Sequence, residues 1–437
     1  VTQSPTWIAT ARLLRRTGFG TTGTEVDAVV GQDWSTYLDA ALAADPESDP
    51  GAVATPMPSV IMPTFPSPDA SQAVNDAFMT GLLVQMGDLV SWWIRRMAAV
   101  QQPIHEKLTL LWHNHFAVSA SKVRVAEIMA AQNAKLRSLK LGDFHTMAHA
   151  MLTDPAMLHW LDGILNMKGA PNENLSREFM ELFTLGHGNG YTEVDVREGA
   201  RALTGRQVGP GGETAILPEY HDAAPKTVLG VTGNLNEDDF CDIVLNQSGS
   251  APFVATKLWR MLASDDAPSP PTLERLVSAY GPGRELGALT KAILLDPEFT
   301  LKAGTLVCTP IEWLMGIVRT LKVPLADPQT VSVLDTVLAA MGQRPFYPPD
   351  VNGWPRGQAW LSTTSTTARV WAANRFVELG DVTTVERAGK DDRIDAVGYL
   401  IGVGSWTAAT TAALRPFVGD PRRLVAAAIN SPEYLTS

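Results

Sequence analysis

Cysteine is nearly absent from this chain: Cys241 and Cys308 are the only two in 437 residues. That excludes a multi-bridge disulfide scaffold and, with no cysteine pair at finger spacing, a cysteine-ligated zinc module. One bridge in an exported chain or two buried thiols remain open, and buried thiols are the expectation. Basic charge is also short, since 35 Lys and Arg stand against 46 Asp and Glu for a net charge of −11. No local basic cluster offsets this, so general electrostatic binding of nucleic acid is excluded. No run approaches the roughly eighteen consecutive apolar residues of a membrane span, and none is expected. Several catalytic signatures are missing too: there is no His-Glu-x-x-His, no EF-hand loop and no Gly-x-Ser-x-Gly elbow. Gly209-Pro-Gly-Gly212 lacks the Lys and Ser/Thr that follow in a P-loop.

The chain does have helical apolar periodicity almost throughout. Hydrophobic content of 45% with 19% charged residues is ordinary for a globular protein. Ala73 to Val100 reads as one long helix with Met79, Leu82, Leu83, Met86, Leu89, Trp93 and Met97 on a stripe. A second helix carries His105 to Phe116, where Leu108, Leu111, Trp112 and His115 share a face and His113 points away from it. Residues 45–71 hold seven prolines and read as an extended loop, either a lid over a cleft or a surface strap. Residues 207–234 are Gly-rich, with Thr214 to Leu217 and Thr227 to Leu229 as short strand candidates. The expected fold is therefore mainly α: one large multi-helix domain over residues 1–437, α/α toroid-like as one form of it, with one small β-hairpin insertion.

The densest mixture of charge, amide and aromatic residues is Gly169 to Gly186, followed by Tyr191 to Gly205. Leu175, Phe179, Leu182 and Phe183 form an apolar face, with Glu173, Arg177 and Glu181 opposite at i, i+4, i+8 and Glu178 on the border. Asn172 is placed to cap this helix and Gly186 to stop it. Such a block is either an ion-pair ladder on a solvated face or a carboxylate and arginine constellation facing a cleft, with Glu178 a candidate for a raised pKa.

Asn172-Glu-Asn174, Arg177-Glu178, Glu181 to Gly186 and Tyr191 to Asp195 resemble the signature block of a bacterial family known as domain of unknown function eighteen hundred. Leu13 to Gly20, Leu111 to Ser119, His221-Asp222 with Lys226, and Val351-Asn-Gly-Trp354 extend the resemblance over almost the whole chain. It implies mainly a helical protein that is secreted or periplasmic. The start at Val1 without methionine carries the expectation that a leader has been removed.

With other signatures missing, paired carboxylates are the remaining chemistry. Cleavage of a polysaccharide or oligosaccharide by general acid/base catalysis needs two carboxyl groups across a cleft, commonly with aromatic platforms beside them. The catalytic candidates are Glu173, Glu178, Glu181, Asp222 and His115, the last expected to bond a buried carboxylate. The substrate-binding candidates are Asn172, Asn174, Arg177, His113, His221, Trp112, Trp354 and Trp360. No cofactor is expected. Two alternatives stay open: an exported binding or assembly protein without catalysis, and a metal-dependent enzyme drawing His113, Glu178, His221 and Asp222 together.

Overall fold

A computed structural model describes residues 2–436; Val1, on which the leader expectation rests, lies outside them. Among the described residues, 25 α-helices, four short 3-10 helices, one π-helical turn and two two-stranded antiparallel sheets make up the regular structure. Helix starts follow the capping residues of the sequence. Ser71, Asp143, Asp154, Thr192 and Thr309 each accept a hydrogen bond from a backbone N–H of the first turn, satisfying donors that a helix start leaves open.

The longest helix, Gln72–Ala99, is central because its C-terminal half is buried on most sides. Met86, Leu89, Val90, Trp93, Ile94 and Met97 are buried there. It packs on the helices Ala126–Leu139, Pro310–Thr320 and Pro328–Ala340, all distant in sequence. Helices far apart in the chain therefore meet, and consecutive helices such as Pro270–Tyr280 and Leu286–Leu295 pack on one another as well. By length and composition this helix is also long and apolar enough to cross a membrane, although it holds no run of eighteen consecutive apolar residues. Its polar residues Asn75, Asp76 and Asp88 interrupt any such run.

The stretch Thr24 to Ala44 is two helices, Gly23–Val29 and Trp34–Ala43, because Asp33 caps a new start within it. The proline-rich segment is strapped along the long helix, and its residues also wall two clefts. Asp49 caps a short helix, Pro50–Val53, and also accepts from the backbone of Gln101 and Gln102. Further on, Trp92 Nε1 donates to the Thr55 carbonyl and Ile61 N–H to Gln85 Oε1, pinning the strap along the long helix.

The small β module is present as two hairpins. β1 (Arg206–Val208) pairs with β2 (Thr214–Ile216), and β3 (Lys226–Val228) with β4 (Val231–Gly233). The two strand candidates of the sequence thus pair with separate partners and not with each other. Both cysteines are free, Cys241 buried and Cys308 partly so.

Candidate functional site

The signature block starts where Asn172 Oδ1 accepts from the Asn174 N–H at 3.0 Å, an Asx turn just ahead of the helix Asn174–Glu178. Leu175, Phe179 and Phe183 are buried as their spacing requires. From Phe179 to Thr184 the helix widens into a π-turn. The Leu185 N–H bonds the Met180 carbonyl at 2.9 Å, and Thr184 Oγ1 donates to the Phe179 carbonyl at 2.5 Å. Such turns are rare and cluster at functional sites. No residue periodicity announces this one.

The charged face is a set of fasteners. Arg177 bonds Glu173 at 2.8 Å and both oxygens of Glu193 at 2.7 Å, which ties the signature helix to Glu193–Ala202. Arg201 bonds Glu198 and Asp222, each at 2.7 Å, joining that helix to the β module. The charge-assisted bond from Arg201 holds the Asp222 carboxyl below the usual carboxylate range. His221 Nδ1 meets the Thr204 carbonyl at 2.9 Å. Glu181 accepts from His187 Nδ1 at 2.9 Å and from the Tyr191 hydroxyl at 3.4 Å. Asn174 is exposed beside the turn. Glu173, Glu181 and Asp222 therefore already have donors, and His113, Glu178, His221 and Asp222 do not converge on a common point suited to a metal.

Glu178 differs. It is half-buried, has no hydrogen-bond or ion-pair partner among the described residues, and its pKa is raised by burial and by neighbouring Glu181, with Arg177 opposing. The border position read from the sequence is what desolvates it. None of the clefts described below is lined by it.

The aromatic candidates, with His113 and His115, are core. His115 is 2% exposed among Trp112, Phe116, Phe144 and Phe183, and its Nε2 meets the Phe183 backbone carbonyl at 2.9 Å. A backbone carbonyl of the signature segment, and no carboxylate, is thus its partner. Burial, with a contribution from Lys257, pushes its pKa well down. His113 packs against Trp93, Phe346 and Trp354, and burial lowers its pKa to about 3, so it stays neutral. Trp112, Trp354 and Trp360 are 2–3% exposed, so none offers an open platform for a sugar.

The cleft with the most pronounced chemistry lies elsewhere. One face of the helix Ser250–Leu262 presents Phe253, Thr256, Lys257, Arg260 and Met261 at i, i+3, i+4, i+7, i+8. Opposite stands the loop Pro349 to Arg356, with Asn114 at the floor, enclosing 520 Å³. The loop is locked by Asn114, whose Oδ1 accepts the Trp354 N–H at 2.6 Å. A smaller chamber of 40 Å³ shares Asn114, Arg260 and Arg356 with it and leads inward to the buried Lys107 and Glu312 pair.

Lys257, Arg260 and Arg356 all line this cleft, and among the described residues none has an ion-pair partner within 4 Å. Burial, then Arg356 and Arg260, lowers the Lys257 pKa to about 8. Burial and Arg260 also depress Arg356, against the pull of Asp265. Three cations outside any ion pair within 4 Å, against Asp350 as the one carboxylate lining the cleft, give it a positive local balance in a chain with net charge −11. Sequence reading passed over Lys257 and Arg260, although their spacing on one helix face was visible; Arg356 is brought to them only by the fold.

A family model described as Protein of unknown function (DUF1800) matches residues 12–436. The chain belongs to that family. No curated protein and no solved structure matches it.

Proposed function

We propose that the protein is an exported binding protein for an anionic ligand, a molecule bearing a carboxylate, phosphate or sulfate, held in the cleft between Ser250–Leu262 and the Asn352 to Arg356 loop. The observation that carries this reading is the convergence of Lys257, Arg260 and Arg356 with no ion pair within 4 Å, three cations in a cleft lined by the single carboxylate Asp350. Like charges crowded in one cleft repel, with Lys257 and Arg260 part-buried and Arg356 exposed, and an anion relieves this by charge-assisted hydrogen bonds. The 520 Å³ volume suits a small molecule or the acidic end of a saccharide. Phe253 and Met261 supply apolar wall, and Asn114 and Asn352 are neutral amides for orientation. Export follows from the family expectation and is tested by cell fractionation.

Titration calorimetry with phosphate, sulfate and an oligogalacturonate tests the reading. One equivalent of at least one probe should bind, and Lys257→Met should weaken it by about 10-fold or more, as loss of one charge-assisted bond implies. Inorganic anions alone, or the oligogalacturonate alone, would identify the source of the charge. Because Lys257 titrates at about 8, binding above that pH should take up a proton, shown by heats that change with buffer ionisation enthalpy. No binding of any probe, or binding indifferent to Lys257→Met, would reject the reading.

The same group gives a stability prediction for the free protein. Its pKa is 10.5 ordinarily and about 8 when folded, so between these values the unfolded chain binds more protons. Stability from this group should rise with pH across that window and be lowest below it. The gap in urea midpoint between wild type and Lys257→Met should therefore shift in favour of wild type as pH rises from 8 to 10.5; an unchanged gap would contradict the assignment.

A second reading, saccharide hydrolysis with Glu178 as general acid, is favoured by one observation: the raised pKa of an unpartnered, half-buried carboxyl. Under it, Glu178→Gln loses about 10²-fold or more in turnover. Under the binding reading, the same variant keeps ligand affinity and is slightly stabilised near neutral pH. The ionised carboxylate is penalised in the fold above its raised pKa, and that penalty fades as pH falls. Turnover on a polysaccharide library and denaturation at two pH values separate these outcomes.

A further inference from the structure

The helices Phe144–Leu152 and Glu237–Leu245 pack side by side, and each carries two potential ligands one turn apart. His145 and His149 stand at i, i+4 on the first, Asp238 and Asp242 at i, i+4 on the second, so both pairs lie on facing stripes. His145 Nε2 and His149 Nε2 are both directed at Asp242 Oδ1, the latter at 3.2 Å. The imidazole rings are 4.5 Å apart, centroid to centroid. Ligand atoms of His145, His149 and Asp242 all fall within 4.8 Å of one another. Donors bound to a metal at about 2.0–2.2 Å stand roughly 3–3.5 Å apart, so small rotamer adjustments bring these three into a coordination shell.

We infer that His145, His149 and Asp242 form a binding site for a borderline divalent transition metal, zinc being the type, that bridges the two helices. Two imidazoles and one carboxylate suit Zn²⁺ better than Mg²⁺ or Ca²⁺, which favour all-oxygen shells. A separate feature points the same way: His149 Nδ1 lies 3.1 Å from Asp238 Oδ1. A carboxylate on the far nitrogen fixes the tautomer that leaves Nε2 free to ligate, as outer partners of metal-bound histidines do. The His145 side chain is 47% and Asp242 52% exposed, so the ion has direct access and at least one position stays open for water. Neither the anion cleft nor the signature helix contributes a ligand, so the two proposals stand or fall separately.

The test is titration of the tag-free full chain with Zn²⁺, and with Co²⁺ as a spectroscopic probe. One equivalent should bind and raise Tm, and the Co²⁺ form should show visible bands of low-coordinate cobalt. His149→Gln should weaken Zn²⁺ binding by at least about 100-fold, and Asp238→Asn, which only orients His149, by about 10-fold. Cys308→Ser should change nothing. Where His149→Gln fails to fold, the Asp238→Asn variant, at a carboxylate 71% exposed, still decides the matter. Zn²⁺ affinity unaffected by both variants, or lost in Cys308→Ser, would overturn the site.

Discussion

Gly353→Ala is expected to destabilise the protein by about 3 kcal/mol and to abolish the anion cleft, since a strained position and an unavoidable collision coincide there. Gly353 has φ +85°, a left-handed conformation that side chains resist. An added Cβ would lie 2.3 Å from Asn114 Oδ1 and 2.5 Å from the Asn114 backbone carbonyl. The side-chain oxygen can swing away, but then the Trp354 N–H loses its 2.6 Å bond to it. The carbonyl belongs to the last turn of Ile104–His115 and cannot yield without unwinding a buried helix. The loop must therefore leave, carrying Arg356 away from Lys257 and Arg260. Urea denaturation and phosphate titration of the same variant check both halves. A midpoint equal to that of wild type, with binding retained, would show that the loop is not held by this contact.

Glu106→Gln should be at least as damaging, costing about 3–5 kcal/mol, because it leaves the buried Arg137 without its anion and Arg96 with only the exposed Glu47. Glu106 is 1% exposed and accepts from Trp93 Nε1 and Arg96 Nε, both at 2.9 Å, and from Arg137 Nη1. Burial alone would raise its pKa, but Arg137 and Arg96 outweigh it and hold the carboxyl below the ordinary 4.5. The pH dependence follows from that direction. Its stabilisation is complete above pH 4.5 and is lost as pH falls through the lower folded value. Glu106→Gln should thus lower the urea midpoint strongly at neutral pH and show a shallower acid loss than wild type. A neutral-pH unfolding free energy within about 0.5 kcal/mol of wild type would mean that desolvation of the three charges cancels their attraction.

Much of the fold was legible because it rests on local rules. The stripe through Leu89, Trp93 and Met97 buries as its period requires, Thr192 and Asp195 form their capping box, and Gly-rich strands appear where the sequence placed them. Glu178 on the border of its helix is half-desolvated for the same local reason. The candidate site was less legible. Whether a tryptophan becomes a platform or core filling depends on what docks over it, and Trp112, Trp354 and Trp360 are all covered.

Which charges meet is likewise decided by docking. Arg177 reads as the partner of Glu173 four residues back, yet it also takes Glu193 from the next helix, and Arg201 reaches Asp222 across 21 residues. Residue spacing by itself determined the helices, their caps and the faces they would bury. Only the tertiary structure decided that Lys257 and Arg260 stand beside Arg356 with no ion pair within 4 Å, and that His145 and His149 face Asp242. Helical periodicity fixes directions around a single axis, whereas these groupings depend on how separate axes pack, and that is set by the summed burial of the whole core.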